Sequence, residues 1–283
     1  MLFYPSMNHS RLNGRPWRPD LWVGRAMTNP HYPVREVTGE ELMDSGAFQV
    51  RDLAQRETPN FALDRQIKAA RGRRPRLVHY DCLLGVDEAL EGGRRVKRRG
   101  SEESAAEAVR LTIEGAEAYA RRALEVEGGF AYSAQGATIP QYLRCADALL
   151  EILDPSRDWL ALGGFCIIGR NTTLIPQFLQ TLAEVAPRAK RRGVQRLHLL
   201  GVTTVRALPQ AAAIARREGL EISTDSSSIE VNSVMGKVFE GGWRKVYGPA
   251  DKPRGPDILP GQYHPAELGE ANVRRFTAWV ESI

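Results

Sequence analysis

Three aspartates stand where short apolar runs stop. Asp44 follows Leu42-Met43, Asp81 follows Leu77-Val78-His79-Tyr80, and Asp225 follows Leu220-Glu221-Ile222-Ser223-Thr224 and precedes three serines. Carboxylates gathered at strand ends suit nucleophilic capture, proton transfer or ligation of a divalent metal, so the pattern predicts an enzyme with a carboxylate-rich pocket. Each also has a purely structural alternative. Asp44 before Ser45-Gly46 fits an Asx-turn, Asp81 fits an ion pair with an arginine of residues 94–99, and Asp225 among hydroxyls fits a helix N-cap.

The segments that must position these residues alternate along the chain. Residues 42–48, 77–82, 129–135, 159–164, 197–202 and 220–225 are short, apolar and closed by glycine or a polar residue, as buried strands are. Amphipathic stretches lie between them: one opens with Ser101 as N-cap and runs to about residue 126, and others cover 138–153, 172–193, 204–218 and 265–282. With an N-terminal strand near 21–26 and another near 244–248, the strands number eight. This predicts an α/β chain, a (β/α)8 TIM barrel forming a single domain over residues 1–283. In such a barrel the residues just past each strand share one rim, which collects Asp44, Asp81, Gln135, Gly163, Gly164, Gly201 and Asp225. Gln135-Gly136 and Gly163-Gly164 alone read equally as turns. His79 alternates in phase with Asp81, so it either lines the barrel or is a satisfied core histidine.

The 283 residues are 42% hydrophobic and 26% charged, which suits one sizeable globular core. No apolar run reaches the roughly 18 residues that span a bilayer, and the N-terminal residues lack a secretory-signal pattern. Cys82, Cys145 and Cys166 form no C-x-x-C pair, which argues against a disulfide framework or a zinc ribbon and for a reduced, cytoplasmic protein. Net charge is +5, which permits an anionic polymer as partner without demanding one. Arg71, Arg73, Arg74 and Arg76, like Arg188, Lys190, Arg191 and Arg192, precede strands and are expected on the face away from the rim as solvated helix ends. Arg94, Arg95, Lys97, Arg98 and Arg99 lie instead in the long 83–101 connection, over the pocket, where they form a phosphate-backbone clamp or merely a soluble loop. Lys237, Arg244 and Lys245, with Trp243, follow the last rim strand and are further candidates to grip a nucleic-acid backbone.

Asp44-Ser45-Gly46-Ala47-Phe48-Gln49 resembles the D-S-G-G-[FY]-Q signature of the tRNA-guanine transglycosylases, with Ala47 in place of a glycine. Asp81-Cys82 resembles that family's base-recognising strand end, Gln135-Gly136 its Q-G element, and Leu162-Gly163-Gly164-Phe165 its G-G-[LF] loop. Leu199-Leu200-Gly201-Val202 is similar to its L-M-G-V segment, and Ser223-Thr224-Asp225-Ser226 falls where the family carries its nucleophilic aspartate. The matches keep the family's order across about residues 40 to 240. The chain departs from the tRNA enzymes in having nothing after Cys166 that could build their C-x-C-x-x-C-plus-His zinc site, so no zinc subdomain is expected. Its opening Leu2-Phe3-Tyr4-Pro5-Ser6-Met7-Asn8-His9-Ser10 and the Thr224-Asp225-Ser226-Ser227-Ser228 run are more similar to the DpdA branch, which inserts 7-deazaguanines into DNA.

The resemblance implies a pentosyltransferase that exchanges guanine in DNA for a 7-deazaguanine such as 7-cyano-7-deazaguanine, without a cofactor, with tRNA as the alternative polymer. Breaking an N-glycosidic bond passes through an oxocarbenium-like state that a carboxylate beside the anomeric carbon can capture. The resemblance gives that role to Asp225, and Asp44 fits the base that deprotonates the entering ring nitrogen. A guanine-like edge offers two N–H donors and a carbonyl, which Asp81 on one side and Gln135 with Gly164 on the other would bind, Gly163 and Gly164 letting the ring come close. Phe48 and Leu200 would sandwich the ring, unless Phe48 is core. Duplex DNA requires extrusion of the guanosine, for which an accessory protein could open the strands. Two other classes fit the same residues: a non-catalytic, nucleic-acid-binding partner subunit, and an unrelated barrel lyase or hydrolase with a metal on its carboxylates.

Overall fold

Short apolar runs separated by amphipathic ones do fold here into parallel strands and covering helices. In a computed structural model the chain is described over residues 1–7, 11–12, 14–32, 36–47, 56–82, 86–91, 94–99, 102–166, 172–246 and 264–283, with 86–91, 94–99 and 102 as backbone only. The strands are β1 (Leu2–Pro5), β2 (Arg25–Thr28), β3 (Glu40–Met43), β4 (Arg76–Val78), β5 (Phe130–Ala134), β6 (Trp159–Leu162), β7 (Arg196–Leu199) and β8 (Glu221–Ser226). From β2 to β8 each pairs in parallel with the next, and β8 pairs with β1 so that Tyr4 lies opposite Asp225. The ring closes at a parallel bridge between Ser6 and Met27, where the Met7 N–H donates to the Met27 carbonyl at 2.8 Å. This is a (β/α)8 barrel.

Helices α1 (Asp20–Val23), α2 (Pro59–Ala70), α3 (Glu102–Ala120), α4 (Ile139–Ile152), α5 (Ile175–Arg191), α6 (Leu208–Arg217), α7 (Ser228–Val234) and α8 (Pro265–Ser282) lie in the connections and after β8. Local chemistry starts at least three of them, α8 through His264, whose side chain accepts the Ala266 N–H with Pro265 in the first turn, and α2 and α4 through threonines. The Thr58 and Thr138 side chains accept the backbone N–H groups of Phe61 and Gln141, each with a proline in the first turn, which cannot use the donor that a helix leaves unpaired there anyway. None of the described helices is long and apolar enough to cross a membrane.

Period-two alternation splits the core in two. Phe130, Tyr132 and Ala134 of β5 face the helices with Leu77, Leu160, Leu162, Leu197 and Leu199, whereas Ala131 joins Tyr4, Met27, Leu42, Val78 and Trp159 in a smaller cluster inside the barrel. At the strand starts the interior is plugged by charge and an aromatic ring. The Arg76 and Arg196 guanidiniums lie 4.0 and 4.3 Å from the Trp159 ring centroid, and Arg196 also meets Glu40 at 2.8 Å, Glu221 at 2.5 Å and the Tyr4 hydroxyl at 2.9 Å.

Four sequence-based expectations are corrected. The first strand of the barrel is Leu2–Pro5, four residues that close on a proline and so carry little strand signal. Residues 20–23 form a helical turn ending at Gly24 in the left-handed region, which moves the strand expected near 21–26 to Arg25–Thr28. Trp243–Lys245 is not a barrel strand, but pairs antiparallel with Lys237–Phe239. Arg76 is no solvated helix end: it stacks on Trp159 and bonds to the Arg157 carbonyl, and burial holds its guanidinium down to about 10. Within the 83–101 connection, Val86–Glu91 and Arg94–Arg99 pair as an antiparallel hairpin, and α2 is a helix that the apolar pattern alone did not announce.

Candidate active site at the strand C-termini

Asp44 and Gln135 directly follow β3 and β5, Gly163-Gly164 follow β6, Leu200 follows β7, and Asp225 is the fifth residue of β8. They therefore stand on one rim. Asp81 reaches it differently. It lies three residues beyond β4, and its N–H turns back to the His79 carbonyl at 2.9 Å, which breaks the alternation and swings the carboxylate toward β5. Arg56 locks the turn by donating to the Asp81 carbonyl at 2.7 Å while lying 4.4 Å over the Tyr80 ring.

The three carboxylates sit in three different environments. Asp81 is 5% exposed, and its Oδ2 accepts from the Ser133 hydroxyl at 2.9 Å and from Gln135 Nε2 at 2.5 Å. Burial raises its pKa, opposed by those two donors and by Arg56. Asp44 takes a hydrogen bond from Asn29 Nδ2 at 3.1 Å and others from the backbone N–H groups of Ser45 and Gly46. Burial and then the charges of Asp81 and Asp225 nonetheless push it up to about 7. Gly46 has φ +82°, and a Cβ there would come within 2.5 Å of His31 Nε2, so this turn requires glycine.

Asp225 is held from one side. Its Oδ1 accepts the Gly201 N–H at 2.8 Å and lies 3.1 Å from His198 Nε2, while Oδ2 receives no hydrogen bond from the described residues. The opposing imidazole ring nitrogen, Nδ1, is 2.8 Å from the Ser223 hydroxyl. The alternative of a helix N-cap does not apply to Asp225: it lies within β8, and the N-cap position of α7 is Ser227.

The glycine pair is explained by Gln135. A Cβ on Gly163 would overlap Gln135 Nε2, and one on Gly164 would lie 2.6 Å from the Tyr142 hydroxyl and 2.9 Å from Gln135 Oε1. The Gln135 amide NH2 is engaged by Asp81 and, at 3.2 Å, by Ser133, whereas its Oε1 is buried without a hydrogen-bond partner among the described residues. Leu200 is half-buried against the interior cluster. His79 is a core histidine: its Nδ1 accepts the Ser133 N–H at 2.9 Å, its Nε2 lies 3.1 Å from the Thr112 carbonyl, and burial holds it down to about 4.

Asp44, Asp81, Gln135, Gly163, Gly164 and Asp225 are thus brought together. Phe48 lies outside the described residues, as do the side chains of Arg94, Arg95, Lys97, Arg98 and Arg99. Arg244 is exposed and pairs with Glu240 at 2.9 Å; Lys237 is half-buried on the adjoining strand. Asn29, Arg56, Ser133 and His198 were not singled out from the sequence. Alternation carries a signal for two of them, since Ser133 and His198 stand two residues before Gln135 and Leu200 and share their inward face. Among the described residues no three His, Cys, Asp or Glu side chains are gathered so as to hold a metal ion.

No known family matches the chain, and no curated protein does. Among solved structures it is similar to morphinone reductase, with 12% identity over 81% of this chain and 82% of that one and a TM-score of 0.39. It is equally similar to a protein described as a fructose-1,6-biphosphate aldolase from Coccidioides immitis, with 14% identity over 99% of this chain and 89% of that one and a TM-score of 0.39. Likeness at this level says nothing about chemistry.

Proposed function

We propose that the chain exchanges a guanine base in DNA for a 7-deazaguanine through a covalent bond between Asp225 and deoxyribose. The observation that carries this reading is the division of the rim carboxylates: Asp225 with one oxygen held and one free, Asp44 poised near neutrality, and Asp81 sunk among amide and hydroxyl partners. In this reading Asp225 Oδ2 bonds to the anomeric carbon as the bond to guanine N9 breaks, and the departing nitrogen takes a proton from Asp44. The entering deazaguanine then returns its N9 proton to Asp44, its nitrogen attacks the same carbon, and the Asp225 carboxylate leaves. A group that titrates near 7 serves both directions.

Asp81 and the unpaired Gln135 Oε1 offer acceptors to the N–H edge of the base. Because the Gln135 amide NH2 is committed to Asp81, the base carbonyl falls to the Gly164 N–H. DNA rather than tRNA follows from the likeness of residues 2–10 and 224–228 to the DpdA branch.

The test is incubation with labelled 7-cyano-7-deazaguanine and either single-stranded DNA, duplex DNA or tRNA. Label in DNA, together with a denaturation-resistant protein–DNA adduct that Asp225→Asn abolishes, supports the proposal. Label in tRNA alone transfers the same chemistry to tRNA, and label in neither polymer overturns it.

A further inference from the structure

The base exchange just described leaves a buried imidazole without a task. His198 is 0% exposed inside the barrel, one layer below the rim, between Ser223 and Asp225 of the neighbouring strand. Its Nε2 lies 3.1 Å from Asp225 Oδ1 and its Nδ1 2.8 Å from Ser223 Oγ. An ionised carboxylate only accepts, so the ring proton belongs on Nε2, and Nδ1 then accepts from the Ser223 hydroxyl. The Tyr4 ring, 5.8 Å away edge-on, packs against the imidazole from β1.

Serine hydrolases use these same three side-chain types in the opposite sense, with the serine at the substrate and the aspartate behind the histidine. Here Ser223 is 0% exposed and Asp225 is the member that opens on the rim, with its side chain 12% exposed. A nucleophilic serine is therefore excluded by access, and the chain of hydrogen bonds runs outward to the carboxylate.

We propose that His198 is a positioning residue for Asp225: its Nε2–H and the Gly201 N–H fix Oδ1 from two sides, so that Oδ2 is the oxygen that bonds to the sugar, and Ser223 fixes the histidine tautomer. This rests on the base-exchange reading. In the sugar ester Oδ1 becomes the carbonyl oxygen, and when the ester bond to the sugar breaks, the returning negative charge meets two N–H donors already in place. The Nε2 proton stays where it is throughout, so His198 neither gives nor takes one.

Two measurements test this, one of them independent of activity. In the wild-type protein, imidazole 15N correlation spectra are expected to report the Nε2–H tautomer for His198; the Nδ1–H tautomer would overturn the proposal whatever the enzyme does. In kinetics, His198→Phe, which keeps the ring volume without a donor, is expected to lower kcat by roughly 100-fold, the scale of losing a charge-stabilising donor, with KM for the free base changed less than twofold. His198→Gln keeps an amide N–H near the Nε2 position and is expected to recover most of that loss. Equal losses in both variants, or a change in KM without one in kcat, would mean a structural role only. Absence of labelling by the wild type would sink the base exchange itself, while the tautomer measurement would still decide the hydrogen-bond arrangement.

Discussion

Asn29 turns its amide so that Nδ2 donates to Asp44 Oδ2 at 3.1 Å, because its Oδ1 is already taken by the His31 backbone N–H at 2.9 Å. The amide orientation is therefore fixed by the backbone and favours the ionised form of Asp44. Asn29→Ala removes that donor from a residue that is 2% exposed. The limb of the pH–rate profile that Asp44 sets should move upward by about half a unit, the equivalent of one modest hydrogen bond, in steady-state assays across pH 5 to 9.

Asp44 itself makes the folded state sensitive to pH. Its pKa of about 7 lies above the ordinary aspartate value near 3.9, so the fold favours the protonated form. The associated stability is complete below about pH 4 and is lost as pH rises through 7. Asp44→Asn, neutral at every pH, should therefore match the wild type near pH 4 and exceed it at pH 8 by about 4 °C in Tm, on the scale of 1–2 kcal/mol in a protein of this size. The same variant should lose at least about 100-fold in base exchange. Thermal melts at the two pH values check the first expectation, and a variant that is no more stable at pH 8 refutes it.

Gly163→Ala places a methyl group on Gln135 Nε2. The amide must then leave Asp81, which loses a donor. Stability should fall by about 1–3 kcal/mol from overpacking, and the KM for the free base should rise more than kcat falls. Urea melts alongside kinetics separate the two effects; an unchanged KM would mean that Gln135 does not shape the base pocket.

Arg56→Ala frees the turn that aims Asp81. The lost carbonyl hydrogen bonds and the contact with Tyr80 should together cost about 2 kcal/mol. Arg56→Lys should not restore it, since an ammonium lacks the fork that reaches the Asp81 and Tyr80 carbonyls at once. Chemical denaturation of the pair decides this.

How far the site was legible in the sequence depends on how each residue reaches the rim. Asp44 and Gln135 follow their strands directly, so placing the strand placed the residue. The Asp81 position was found as a strand end, yet the backward hydrogen bond that aims it is a matter of backbone geometry that no residue pattern announces. Gln135 was expected to offer its NH2 to a ligand; the nearness of Asp81 Oδ2 turns that donor inward, and such competition between neighbours appears only in three dimensions. His198 escaped notice because it lies below the rim, where alternation marks a side chain as inward but not as partnered. Repetition made the central strands of the barrel readable but not its ends: the first strand is four residues ending in proline, too short a run to register, and Trp243–Lys245, expected in the barrel, pairs with Lys237–Phe239 instead.

The closure of the barrel has its own consequence. Among the described residues β1 and β2 meet through a single backbone bridge, Ser6 with Met27, whereas β8 is laddered to strands on both sides. That seam adjoins Asn29 and, through it, Asp44, while Asp225 belongs to the laddered β8. Local opening of the ring would thus disturb Asp44 first and leave Asp225 in register, so the amide of Met7 should exchange with deuterated solvent well before that of Asp225.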